Sequence, residues 1–308
     1  METRSDQRSP WLSRSLCSRL RAGVLMAAAL TMATATLAAC SSATSVNPAT
    51  SGTAGLADLL GPDHPAWLLA RSVLARLILD PVAVSDLSGK LVYELLQPGE
   101  PPLPSVVAEP VVTFASAAAL KSAVDAGQIP SGTFGVLYDP EAWAFTPVAE
   151  QQNPVRAATA AAAAAHAHGL QLIVAPAIDL ATVLDSNGKG PEWRQFLDLD
   201  LVGRLAKVAD VVELQAQSLE QDTRVYTAFV HSAAAQAGAA RPGIDLLAGL
   251  STNPPGVAVD AKELTADIRA TRPVADGYWV NVPVPGAQCP TCHAAQPGVA
   301  VQVLAVAP

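Results

Sequence analysis

The sequence predicts a closed (β/α)8 barrel, and three observations predict it. From Val111 onward a short apolar run, a turn rich in Pro, Asn or Asp and a helical stretch recur, and the starts of the runs lie 24 to 41 residues apart, close to the ~30 residues of a βαβ unit. Six such runs are clear, and two weaker candidates at the ends of the domain bring the total to eight. Within the runs the polar side chains keep to one parity and gather at the C-terminal end, which is where barrel enzymes build their sites. An open doubly wound parallel sheet is the alternative.

The elements follow in order. Trp67 to Leu79 reads as a helix, Lys90 to Leu96 as a strand, and Pro98 to Pro104 as a proline-rich link. The clear strands are Val111–Ala115, Gly135–Asp139, Leu170–Ala177, Val211–Gln217, Leu246–Asn253 and Gly277–Pro283, with Val299–Val306 a further strand at the end. Between Pro154 and Gly169 an alanine-dense stretch favours helix, because Ala loses no side-chain entropy there, and Gly169 suits the position that stops it. Trp193, Leu197, Leu201, Leu205 and Val208 recur at steps of three and four, one stripe of a helix against the sheet. Asp260 with Glu263 forms a capping box ahead of Leu264 and Ile268.

The N-terminal segment has a different character. Arg4, Arg8, Arg14, Arg19 and Arg21 precede an uncharged run from Ala22 to Ala39, which ends in Leu37-Ala38-Ala39-Cys40. This resembles a bacterial lipoprotein signal peptide, with residues 1–39 removed and Cys40 carrying lipid; a membrane-spanning helix is the competing reading. The resemblance implies attachment to the cell membrane on its extracytoplasmic face. Residues 40–55 are mostly small and polar and read as a flexible tether, and residues 56–308 as one barrel domain. Loss of residues 1–39 removes five arginines and two acids, leaving 14 cations against 25 acids and a net charge of −11. Such a surface repels phosphate backbones, so nucleic acid is not an expected partner.

Parity places candidate functional residues. Asp139 and Glu141 share a side with Gly135 and Leu137; Glu213, Gln215 and Gln217 share one with Val211; Asn253 lies on that of Gly249 and Ser251, and Trp279 and Asn281 on that of Gly277. If the apolar sets pack under helices, these side chains meet at one mouth. Acids in a partly desolvated pocket can have their protonation ranges pushed apart, one staying an acid while another stays charged. Asp139, Glu141 and Glu213 are therefore the candidate catalytic residues. Gln215, Gln217, Asn253, Asn281, Trp279 and Trp143 are candidate binders, the amides for hydroxyls and the indoles for stacking. The competing explanation is a structural polar network satisfied inside the barrel.

Tyr138-Asp139-Pro140-Glu141 at a strand end, Glu213 on a later strand and Tyr278-Trp279 late in the series give the chain a resemblance to glycoside hydrolase TIM barrels from Val111 to Pro283. The resemblance implies a carbohydrate ligand and acid/base hydrolysis by paired carboxyls. The D-x-x-D-x-D-x-E run of chitinase-like barrels is absent, so their substrate-assisted mechanism is not implied. A noncatalytic cell-envelope lipoprotein holding a ligand in the same mouth is the alternative class. The segment from Tyr138 to Pro154, with its prolines and aromatics, reads as a rigid loop over the mouth, while Glu150 and Gln151 equally suit a helix start.

Other motifs point elsewhere. Cys289 and Cys292 suit a short-loop disulfide after export. With His293 they also match the C-x-x-C-H spacing of haem attachment, but no surrounding segment suggests a haem pocket. No cofactor and no metal are expected. His166 and His168 lie two apart on the alanine-rich helix and face different ways.

Overall fold

In the computed structural model, which describes residues 64–254, 257–286 and 292–306, eight parallel strands close into a barrel in chain order. They are β1 Ala66–Ala70, β2 Val92–Leu96, β3 Glu109–Phe114, β4 Gly135–Tyr138, β5 Gln171–Val174, β6 Val211–Leu214, β7 Asp245–Ser251 and β8 Gly277–Asn281. The pairing of β1 with β8, from Ala66 opposite Gly277 to Leu68 opposite Trp279, leaves no sheet edge and excludes the open doubly wound sheet. The fold is a (β/α)8 TIM barrel.

Around it lie α1 Arg71–Leu77, α2 Pro81–Leu87, α3 Ala117–Asp125, α4 Val148–Gln151, α5 Pro154–Ala167, α6 Leu180–Leu184, α7 Glu192–Asp198, α8 Leu201–Ala206, α9 Thr223–Ala240, α10 Ala261–Thr271 and α11 Pro297–Val306. Their local signals are readable. Ser116 caps α3 by accepting from the Ala119 N–H, Asp260 and Glu263 form the expected capping box on α10, and Gly169 ends α5 with φ +71°. No helix lies between β2 and β3. The link there is held by Glu94, whose oxygens both accept from the Leu103 N–H at 3.1 Å, and by Arg71, which donates to the Pro101 carbonyl at 2.7 Å.

Three sequence expectations need correction. The first four residues of Trp67–Leu79 belong to β1 rather than to the helix, which starts at Arg71, because a strand buried on both faces is a continuous apolar run without period. Val299–Val306 lies in helix α11, not in a strand: β8 already pairs with β1, so the closed sheet has no place for a ninth member. Ala300, Val303 and Leu304, at helical spacing, are its buried face. The Trp193–Val208 stripe packs on the core as two helices, α7 and α8, because Asp200 between them takes the left-handed conformation at φ 48°.

Two apolar shells result. Val92, Leu96, Val112, Phe114, Val136, Tyr138, Val212, Leu214, Leu246, Tyr278 and Val280 face the helices. Leu68, Tyr93, Leu95, Val111, Leu137, Ile173, Ala175, Val211 and Leu247 fill the barrel itself, with Trp279 against them. The registers sort the inner side chains into stacked rings of alternate strands. One ring holds Leu95, Leu137, Glu213 and Trp279; above it come Ala70, Thr113, Ala175 and Gly249; above these Asp139, Gln215 and Asn281. Gly277, lower in the barrel, has no room for a side chain, since a Cβ there would lie 2.4 Å from the Ala66 carbonyl oxygen.

Candidate functional site

The site grows from the end of β4. Asp139 continues the strand through its N–H, which donates to the Phe114 carbonyl at 2.9 Å, and Pro140 accepts from the Ala177 N–H at 3.0 Å. These bonds aim the Asp139 side chain into the barrel and lift Glu141 onto the rim. Gln215, beyond β6, donates to Asp139 and to the Ala175 carbonyl, the latter at 2.8 Å. Asp139 and Glu141 are within hydrogen-bonding reach of each other, and Gln215 reaches both.

Electrostatics follow from this crowding. Burial is the largest cause in each case. It raises Asp139 to about 7 against the hydrogen bonds of Gln215 and Glu141, and Glu141 to about 8 with the charges of Asp139 and Asp179 adding to it. The two carboxyls act on each other strongly enough to titrate as a pair. Glu213, with 0% exposure, is held well above the carboxylate range by burial and by the charges of Asp139 and Glu141. Neither of its oxygens has a hydrogen-bond partner. It lies two rings below Asp139 and Gln215, where burial favours its protonated form.

The segment after Glu141 folds back on itself. The Thr146 hydroxyl accepts from the Glu141 N–H at 3.2 Å and from the Trp143 indole N–H at 3.0 Å, while the Gln151 amide donates to the carbonyls of Trp143 and Thr146, both at 2.7 Å. Trp143 is half-buried and meets Phe145 edge-on at 4.9 Å; Phe145 is 60% exposed. Glu150 serves the frame: it lies in α4 and accepts from the N–H groups of Ala117 and Ala118, the Ser116 hydroxyl and the Tyr138 hydroxyl, so that it anchors the start of α3 to β4.

The remaining candidates divide. The Gln217 side chain lies over Gly249, where a Cβ would come within 2.4 Å of it, and so fills the space that the glycine leaves in the barrel. Trp279 and Asn281 are half-buried on the inner parity of β8, and the Trp279 indole N–H is buried without a partner. Asn253 lies past the end of β7 with its amide engaged, accepting from Gln296 at 3.2 Å and donating to Thr252 at 3.4 Å. Cys292 is buried and disulfide-bonded. Cys289, Cys40 and the leader and tether segments lie outside the described residues.

Sequence reading missed Asp179. It follows β5 by five residues, accepts from the Ala142 N–H at 3.0 Å and places its charge against Asp139 and Glu141. The signal for it was an acid in the loop that follows the apolar run of β5. Thr113, on the inner parity of β3 with a buried and unpartnered hydroxyl, was missed as well. His166 is structural, bonding the Asp210 carboxylate at 2.7 Å.

No family model and no curated protein matches the chain. Among solved structures it is similar to a chitinase from Chromobacterium violaceum, at 11% identity over 79% of this chain and 99% of that one with a TM-score of 0.44. A GH18 chitinase catalytic domain from the fern Peteris ryukyuensis matches at 14% identity over 70% and 92% with a TM-score of 0.45. Triosephosphate isomerase from Bartonella henselae matches at 12% over 78% and 97% with a TM-score of 0.41. Likeness at this level carries no argument about activity, and the barrel assignment rests on the strand order.

Proposed function

We propose that the chain is a lipid-anchored, extracytoplasmic glycoside hydrolase that binds a carbohydrate at the C-terminal mouth of its barrel. The observation that carries this is the Asp139–Glu141 pair: two carboxyls within hydrogen-bonding reach just past the end of β4, one on the half-exposed rim and one 8% exposed, with Gln215 reaching both. Glu141, raised and reachable, is the general acid that protonates a leaving glycosidic oxygen. Asp139 keeps the proton on it by resisting a second negative charge alongside.

The pair is too close to flank a scissile bond, for which ~5 to 9.5 Å is needed. Asp179 supplies the second carboxylate, positioned by the Ala142 N–H, to activate water or stabilise the cationic transition state. The exposed Phe145 and the half-buried Trp143 offer apolar faces for a sugar ring. Of the chitinase-type run, the strand end holds only D-x-E, as Asp139-Pro140-Glu141, with Leu137 where the next acid would stand.

The experiment is a glycan hydrolysis screen with wild-type protein and Glu141→Gln. Turnover should fall by about 10²- to 10⁴-fold in the variant with sugar affinity nearly kept; unchanged turnover refutes the role. For the anchor, Cys40→Ser should move the protein from the membrane to the soluble fraction on fractionation. A second reading, a noncatalytic binding lipoprotein, is favoured by the full burial of Glu213, which removes it from direct contact with a scissile bond. It predicts affinity without turnover in both proteins.

A further inference from the structure

Among the described residues eight large apolar side chains are exposed, and they gather at the two ends of the barrel. Phe145, Val148, Val257 and Val284 stand on the connections that follow β4, β7 and β8, around the mouth. Leu79, Val82, Val84 and Val107 stand on the connections that precede β2 and β3, at the opposite end, with Leu79 82% and Val107 97% exposed. Exposed apolar residues scattered singly need no explanation, but these border a groove. Its volume is about 500 Å³, and its apolar lining is Ile78, Val84, Leu87, Leu91, Val106 and Val107. The groove lies open because β2 passes to β3 through the proline-rich link, where a regular barrel would set a helix.

Connectivity and charge at that end indicate what covers it. The chain enters the barrel there from its amino side: the Trp67 N–H, near the start of β1, donates at 2.8 Å to the carbonyl of Leu91 in the groove wall. Cys40, the proposed lipid-bearing residue, stands 24 positions ahead of His64, so insertion of its lipid keeps a bilayer at high local concentration beside this end. The charge is balanced: from Arg76 to Leu91 two cations, Arg76 and Lys90, are matched by two acids, Asp80 and Asp86. The mouth differs. Burial already raises Asp139, Glu141 and Asp179, and a bilayer pressed on that rim would take them further from water at additional cost.

We propose that this end of the barrel is seated on the lipid bilayer, with Leu79, Val82, Val84 and Val107 in the headgroup layer and the mouth opening away from the membrane. The inference rests on the reading of Cys40 as a lipid anchor and adds the orientation of the anchored domain. A lipid on Cys40 alone limits distance and leaves the barrel free to tumble. A second, apolar point of contact fixes which face meets the membrane, since leucine and valine side chains gain by leaving water for the acyl boundary. The mouth then faces the surrounding space, open to glycans there.

The test places a fluorophore on single introduced cysteines, Val82→Cys and Val107→Cys at this end and Val284→Cys at the mouth, in the full chain expressed with its leader. The protein is reconstituted in vesicles of phosphatidylethanolamine and phosphatidylglycerol, with a lipid spin-labelled near its headgroup as quencher. Quenching at Val82→Cys and Val107→Cys should exceed that at Val284→Cys by at least about threefold. Leu79→Ser combined with Val82→Ser should lower the quenching at Val107→Cys at least about twofold; both residues are exposed, and a thermal melt reports that the variant is folded. Equal quenching at the two ends, stronger quenching at the mouth, unchanged quenching in the serine variant, or no quenching while the protein floats with the vesicles overturns the proposal and leaves the anchor standing. Labels at Val82 and Val107 already shielded without vesicles would show that protein covers the patch, and would overturn it as well. Absence of lipid on Cys40 by mass spectrometry, with the expected quenching pattern kept, would remove the anchor and leave the seated face. A wild-type protein that does not float with the vesicles removes both.

Discussion

Two sets of buried acids lie on either side of the barrel wall. Asp139, Glu141 and Glu213 face the interior; Glu220 and Asp267 are packed among α9, α10 and the end of β7. Burial is the leading cause of a raised pKa in both sets, with Asp267 brought to about 7 and Glu220 held well above the carboxylate range. What separates them is the company they keep. Glu220 accepts from the Ser251 backbone N–H at 2.6 Å, and beside it the buried Tyr226 hydroxyl donates to the Gly249 carbonyl at 3.1 Å. That set braces β7 against the helices. In the inner set the bonds run between side chains, two of them half-exposed, and Glu213 is left unpaired. A perturbed acid is therefore not by itself a site, and neither is a bare one, since Asp267 like Glu213 leaves both carboxyl oxygens without partners; access makes the difference.

Paired substitutions probe that difference most strongly. Glu141→Gln should abolish most turnover, as above, while Glu220→Gln, which keeps an acceptor for the Ser251 N–H, should leave kcat within about twofold. A comparable loss in both would erase the distinction. Next in size, Glu220→Ala should cost about 1–3 kcal/mol in denaturant unfolding, because the Ser251 N–H loses its buried partner. No loss would show that the outer set does not brace β7.

The pH dependence is shared by both sets and separable. A carboxyl whose folded pKa is raised contributes stability that is complete below its unfolded value near ~4 and is lost as pH rises through the folded value. The melting temperature should therefore fall between about pH 5 and pH 8, and a double Glu220→Gln, Asp267→Asn variant should flatten the slope without removing it. Hydrolysis, which needs the proton on Glu141, should decline as pH rises through about 8. The smallest effect belongs to Gly249→Ala. The added methyl first meets the movable end of Gln217, so stability should change by less than about 1 kcal/mol, while displacement of Gln217 should show as a rise in KM with kcat kept. A large loss of stability there would mean that Gln217 is locked in place.

Much of the fold was legible because βα units carry their signals locally. Six strands and the capping box on α10 lay in apolar runs and turn residues that any short window contains. The ends were harder: Trp67–Leu79 and Val299–Val306 are apolar without a decisive period, and only the pairing of β1 with β8 settles which is strand and which is helix. For the site, parity sufficed to turn Asp139, Glu213 and Gln215 toward one interior. It could not find Asp179, whose importance depends on a loop from another strand reaching back to the Ala142 N–H.

The residues alone determined which side chains face inward, since alternation along a strand is set by the backbone and is written in the order of the amino acids. Tertiary structure decided which of those inward side chains are neighbours. Gln215 and Asp139 are 76 positions apart and meet because of the stagger of the closed barrel. The same stagger leaves Glu213 beneath a ring of small side chains with no partner of its own. Alternation is a local property of the chain, whereas stagger is a property of the whole closed sheet.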